Sequence, residues 1–144
     1  MKVTFTNTIT IGRQPAEVFA FLARFENVPR WNHAIAETRR VTGTPVGVGS
    51  RYVQTRTVPT RTEETFEVIG FEPDRSLAVR GSFGRFPADI AYVLEPVDAG
   101  TRLVNDVELT PGGLLSAVAP LVRSRVKAAV AANLEELKHV LEGT

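Results

Sequence analysis

Residues 114–142 read LLSAVAPLVRSRVKAAVAANLEELKHVLE, the longest helical pattern in the chain. Leu115, Val118, Val122, Val126, Ala129, Val130, Asn133, Leu137, Val140 and Leu141 lie broadly along one side. Arg123, Lys127, Glu135, Glu136 and Lys138 lie largely elsewhere, so the pattern is that of an amphipathic helix with one face to bury. Pro120 sits inside the pattern and should kink the helix or begin it anew. What such a helix packs against decides the fold, and the rest of the chain supplies a sheet.

Upstream, residues 2–11 alternate: Val3, Phe5, Ile9 and Ile11 share one face, with Asn7 the polar exception, and Thr4, Thr6, Thr8 and Thr10 share the other. This predicts a half-buried strand. Pro15 suits the first turn of a helix and Glu17 complements its dipole. Val18, Phe21, Leu22 and Phe25 follow helical spacing. A second short helix or turn is expected from Glu26 to Asn32, because Pro29 breaks or restarts the first. Strands are expected over 34–42, 50–58, 61–72, 76–83, 85–96 and 101–110, with Gly, Pro and Asp marking the turns. Short connections favour an antiparallel meander. The reading is α+β: one domain over 1–144, a curved antiparallel sheet of about six or seven strands around a long C-terminal helix, with two short helices after the first strand. Such layers leave room for a small apolar molecule between them.

Composition narrows the function classes. A chain of 144 residues with 43% hydrophobic and 23% charged residues suits a single ordered domain. The net charge is +1 and the arginines are dispersed among acids, so no basic stripe invites nucleic acid. The absence of cysteine removes disulfides, thiolate metal sites and cysteine nucleophiles. Two distant histidines make no metal signature, and no cofactor motif is present. Gly43, Gly47 and Gly49 lead into a strand, which excludes a phosphate loop. Gly81-Ser82-Phe83-Gly84 lacks the spacing of a nucleophile elbow. No apolar stretch approaches the roughly 20 residues of a membrane span. The N-terminus lacks the apolar core of a signal peptide, so a cytoplasmic location is the expectation.

Several segments together resemble the START-related helix-grip superfamily, its polyketide cyclase/dehydrase-like branch included. They are Gln14-Pro15-Ala16-Glu17-Val18-Phe19-Ala20-Phe21-Leu22, Val28-Pro29-Arg30-Trp31-Asn32, Phe66-Glu67-Val68-Ile69-Gly70-Phe71-Glu72-Pro73, Gly100-Thr101-Arg102-Leu103 and Leu134-Glu135-Glu136-Leu137-Lys138. The resemblance covers essentially the whole chain and implies a helix-grip fold. It does not imply one activity, since carriers, receptors, cyclases and hydrolases share that fold.

The expected function is binding of a small hydrophobic ligand, such as a lipid, polyketide or ring-bearing metabolite, between sheet and helix. Burial at about 25 cal/mol per Å² would supply most of the affinity. The candidate lining is Phe21, Trp31, Tyr52, Phe66, Phe83, Tyr92, Asn105, Val122 and Val126, with Arg56 as polar anchor. Trp31 serves either the cavity or core packing. Arg56 and Glu64 either meet inside as a costly buried pair or form a surface pair, because the first of their two strands has no clear inward face. His33 reads as an exposed turn residue, and His139 as a partner of the helix dipole. Arg80, Asp89, Asp106 and Glu108 read as a solvated convex face. Leu114 to Val122 is assigned to helix packing in preference to gating or membrane contact. Two alternatives stand beside ligand binding. One is a cyclase- or aromatase-like enzyme using Arg56, Tyr52 or His33, with no catalytic residue assigned. The other is a co-chaperone-like protein-partner module with a filled core; a homodimer is also left open.

Overall fold

Alternation along the first strand holds in the structure: Val3, Phe5 and Ile11 are buried, and Thr4, Thr6, Thr8 and Thr10 are exposed. This is β1, Val3–Ile11, at the start of a computed structural model that describes residues 2–143. Helix α1, Pro15–Ala23, follows with Pro15 in its first turn, then a 3-10 turn Phe25–Asn27 and the short helix α2, Val28–Trp31. Six strands come next: β2 Ile35–Arg40, β3 Arg51–Arg56, β4 Thr62–Glu72, β5 Ser76–Phe83, β6 Phe86–Val97 and β7 Gly100–Leu109. A 3-10 helix, Gly113–Val118, leads into α3, Ala119–Glu142.

The seven strands form one antiparallel sheet in the order β1-β7-β6-β5-β4-β3-β2. Strands β2 to β7 run as a meander, and only the link carrying α1 and α2 crosses the sheet. Register shifts in β2 between Ile35 and Glu37, and in β4 between Val68 and Gly70, bend the strands as bulges do. The β5–β6 turn uses Gly84 and Arg85, both in the left-handed region at φ 58° and 76°, the geometry that matches strand twist in a two-residue hairpin. Gly100 (φ 137°) ends the β6–β7 turn, where a Cβ would run into the Ile11 carbonyl and the Arg13 amide.

The long helix is gripped at two places. Leu134, Leu137 and Leu141 of α3 join Ile11, Val18, Leu77, Leu94 and Leu103 in the main core. Ala119, at the other end of α3, packs in a second cluster with Val3, Phe5, Ala88, Val107 and Leu109. Between the two clusters the helix stays along β1, where the Asn7 side chain donates to the Lys127 carbonyl, while its other side leaves a gap over the rest of the sheet.

Three expectations change. The long helix does not start at 114: of the two outcomes expected at Pro120, the structure has the fresh start, with α3 beginning at Ala119 and Pro120 in its first turn, where its missing N–H is no loss. Leu115 and Val118, placed on the buried face by periodicity, are 42% and 43% exposed on the 3-10 segment, which does not keep the α-helical face. In α1 the buried side chains are Val18, Phe19 and Leu22, so Phe19 takes the inward place expected for Phe21. The helix stops at Ala23, and Phe25 is buried from the 3-10 turn instead.

Candidate functional site

The gap between the two gripped ends of α3 is a cavity of about 460 Å³. Period-two alternation brings its sheet wall together: Phe86, Ile90 and Tyr92 from β6, Asn105, Val107 and Leu109 from β7, and Val79 and Phe83 from β5. Leu22, Phe25, Val28 and Trp31 close one side from the small helices. On α3, Arg125, Val126, Ala129, Val130 and Asn133 fall on one helical face and form the lid. Of the lining residues, His33, Gly84, Arg125 and Ala129 are exposed, so the opening lies between the α2–β2 loop, the β5–β6 turn and α3.

An aromatic floor lies beneath. Tyr52 and Phe66 stack with centroids 5.1 Å apart and planes 10° from parallel. Phe25 closes on both, at 4.8 Å and 5.3 Å, and Phe83 lies 5.9 Å beyond Phe66. Gly81 makes this possible: a Cβ there would sit 2.7 Å from the Phe66 Cβ and collide with the Thr65 carbonyl. The missing side chain lets the Phe66 ring lie across β5.

The polar end is built by β3 and β4. Tyr52 and Gln54 face inward and are almost fully buried, and Arg56 follows on the same face, which settles the register of β3. Gln54 stands opposite Glu64, with Arg56 one step away on the diagonal. Arg56 Nε donates to Glu64 Oε2 at 2.7 Å, Gln54 Nε2 donates to Glu64 Oε1 at 2.9 Å, and the Gly84 amide donates to Oε2 at 2.6 Å. Thr38 Oγ1 completes the chain toward Gln54 Oε1 at 3.5 Å. The Glu64 and Arg56 side chains are 5% and 17% exposed. The carboxylate therefore has three donors and the pair is not left uncompensated. Glu64 occupies only Nε, and among the described residues the two Nη groups of Arg56 carry no hydrogen bond at the cavity wall.

Tyr92 and Asn105 bring further polar groups to the wall, and Tyr52 lies behind it. Burial pushes the Tyr92 phenol well above its ordinary pKa, so it stays protonated and can donate a hydrogen bond. Asn105 is wholly buried; its Nδ2 donates to the Ala91 carbonyl at 3.2 Å, while Oδ1 has no partner. Tyr52 Oη is likewise buried without a hydrogen bond of ordinary geometry; burial raises its pKa, with the nearby Arg40 opposing slightly. None of the lining residues is Asp or Glu. The described residues hold no group of three or more metal-ligating side chains.

Of the residues singled out from sequence, Trp31, Arg56, Phe66, Phe83, Tyr92, Asn105 and Val126 line the cavity. Phe21, Tyr52 and Val122 do not. Phe21 turns to the outer side of α1, where the Arg30 guanidinium stacks over its ring at 5.0 Å. Tyr52 is 1% exposed and sits behind Phe66. Val122 lies one turn before the lid face. Trp31 is both core and wall: 7% exposed, it joins the main cluster and still borders the cavity. His33 is exposed, as expected, yet stands at the opening. Val107, Leu109, Ile90, Val130 and Asn133 were missed as lining residues, although the strand alternation and the helical face that placed Asn105 and Val126 also place them.

Comparison with known proteins agrees with this fold. The model of the family described as "Polyketide cyclase / dehydrase and lipid transport" matches residues 2–142. No curated protein matches the chain. Among solved structures, Ara h 8.0201 superposes with a TM-score of 0.77 at 16% identity, covering 100% of both chains. The Zhui aromatase/cyclase from Streptomyces sp. R1128 superposes with a TM-score of 0.79 at 13% identity, covering 99% of this chain and 94% of that one. The di-domain ARO/CYC StfQ from the steffimycin biosynthetic pathway gives 0.80 at 13% identity over 99% of this chain, which spans about half (51%) of that longer one. At such identities the likeness is one of fold.

Proposed function

The chain belongs to the polyketide cyclase/dehydrase and lipid transport family, and on that basis we propose that it binds a small, mostly apolar molecule whose polar end is an oxygen acid held by Arg56. One observation carries this reading. The cavity of about 460 Å³ has apolar and aromatic walls, no acidic lining residue, and a guanidinium at one end whose two Nη groups have no hydrogen-bond partner among the described residues. Glu64 fixes the fork by its Nε, and a planar fork offering two parallel donors suits a carboxylate, phenolate or enolate oxygen pair. The Tyr92 hydroxyl and Asn105 Oδ1 add a donor and an acceptor farther along the sheet.

Binding is favoured over catalysis because the only general-base candidate on the walls is at their edge. Tyr92 is held protonated, and His33 at the opening is the single imidazole on the lining. An enzyme resembling cyclases would have to draw its proton transfers from His33, which makes His33→Ala the test of that second reading. A protein-partner module would need a filled core, and the open cavity counts against it.

Trp31, the one tryptophan, reports occupancy through its emission. Native mass spectrometry of the purified protein identifies any co-purified molecule. A long-chain fatty acid titrated against its methyl ester should then show the acid binding about tenfold more tightly, a preference that disappears in Arg56→Met. Equal affinity for acid and ester in the wild type overturns the anchor role. Absence of binding by either, with a clean apo mass, overturns the ligand reading.

A further inference from the structure

The large side chains of the apolar stretch before and at the start of α3, expected to pack, stay uncovered. Leu114, Leu115, Val118 and Leu121 are 92%, 42%, 43% and 55% exposed, four large apolar side chains within eight residues. Their place is particular. Leu121, Arg125 and Ala129 follow one another at four-residue spacing along α3, hence on one face. Arg125 and Ala129 line the cavity opening, so Leu121 continues that wall outward by one turn. Ala119, between the exposed residues, is buried with Ala88 and Leu109 and fixes the segment against the same end of the sheet.

Charge accompanies the leucines. No Asp or Glu occurs between Glu108 and Glu135, while Arg123, Arg125 and Lys127 fall inside that interval. Arg85, at the tip of the β5–β6 turn beside Gly84, joins Arg125 at the opening, whereas Arg123 and Lys127 lie round the helix beside Asp89, Asp106 and Glu108. Arg85 and Arg125 are exposed and make no ion pair among the described residues, and Arg123 bonds the Thr4 carbonyl. Of the acids that bound this interval, Glu108 pairs with Lys2 and Asp106 before it accepts from Thr6, while Glu135 lies about two turns beyond Lys127.

We infer that this face docks on an anionic lipid bilayer, the leucines entering the interface and the arginines meeting lipid phosphates. A second copy of the chain is the poorer fit. A two-fold contact would set the cations of one copy against those of the other, and four partly exposed side chains fall well short of the roughly 800 Å² per partner of a standard interface. Docking would turn the cavity opening toward the membrane, giving an apolar ligand a route that avoids water; this last step rests on the ligand-binding reading above.

Flotation with phosphatidylcholine vesicles, with and without phosphatidylserine, tests the inference. The protein should float with the phosphatidylserine-containing vesicles at low salt, and lose that association as salt is raised. The double variant Leu114→Ser/Leu121→Ser should lower partitioning at least about tenfold. Its circular dichroism and Trp31 emission should remain those of the wild type, since both positions are exposed. Failure of the wild type to float, or wild-type flotation by the double variant, overturns the inference. So does a concentration-dependent dimer in sedimentation that the double variant abolishes, which would assign the face to a second copy. The cavity is read separately, by binding of anilinonaphthalene sulfonate in solution: retained binding without flotation removes the docking surface alone, and flotation without binding removes the ligand reading alone.

Discussion

Glu64 and Arg56 differ in what their removal would leave behind. Glu64→Ala takes the acceptor from Arg56, Gln54 and the Gly84 amide together and strands a guanidinium that is 17% exposed. It should cost about 3 kcal/mol in urea unfolding. Arg56→Ala leaves the carboxylate with the Gly84 and Gln54 donors and should cost only about 1–2 kcal/mol. An Arg56→Ala loss as large as that of Glu64→Ala would show that the pair, and not the carboxylate cluster, carries the stability. The tyrosines make a second prediction at this scale. Burial raises both phenols, so the folded chain keeps protons that the unfolded chain releases above a pH of about 10. Their contribution is complete below that pH and is lost as pH rises past it, at up to about 1.4 kcal/mol per pH unit for each phenol. Tyr92→Phe should flatten the alkaline side of the stability profile, and in the wild type the phenolate absorbance should rise together with unfolding.

Elements bear on the site through what they omit as well as what they present. Gly81→Val would force β5 away from Phe66 or push its ring into the cavity. It should weaken ligand binding and lower stability by about 2–3 kcal/mol, both readable in one urea titration followed by Trp31 emission. Most of the elements were legible in the sequence, because alternation in β1, β6 and β7 and glycine or proline at the turns act locally. The α3 boundary was not, since the apolar spacing of Leu115 and Val118 is the same whether a face meets a core or stays uncovered. The register of β3 was equally hidden. Arg51, Val53 and Thr55 offer nearly as good an inward face as Tyr52, Gln54 and Arg56, and the ladder to Glu64 and Phe66 decides between them. Seven of the ten residues chosen from sequence border the cavity, and the others have local causes, such as the phase of α1, which buries Phe19 and leaves Phe21 half-buried away from the cavity.

For the whole molecule, an open cavity of about 460 Å³ is a structural cost, since its walls forgo contacts that a filled core would make. Val130→Phe, projecting from α3 into that space, should hold or raise the melting temperature while abolishing binding of a fatty acid. A lowered melting temperature with binding retained would mean that the side chain does not enter the cavity. The position of Glu64 has a mechanical corollary. Its Oε2 atom accepts from Arg56 on β3 and also from the backbone amide at the tip of the β5–β6 hairpin. Lifting the hairpin tip takes a donor from the same oxygen that steadies the guanidinium. Under the proposed binding role, the set of the hairpin tip and the hold on the Arg56 guanidinium are therefore coupled through one oxygen, so a shift of either is felt by the other.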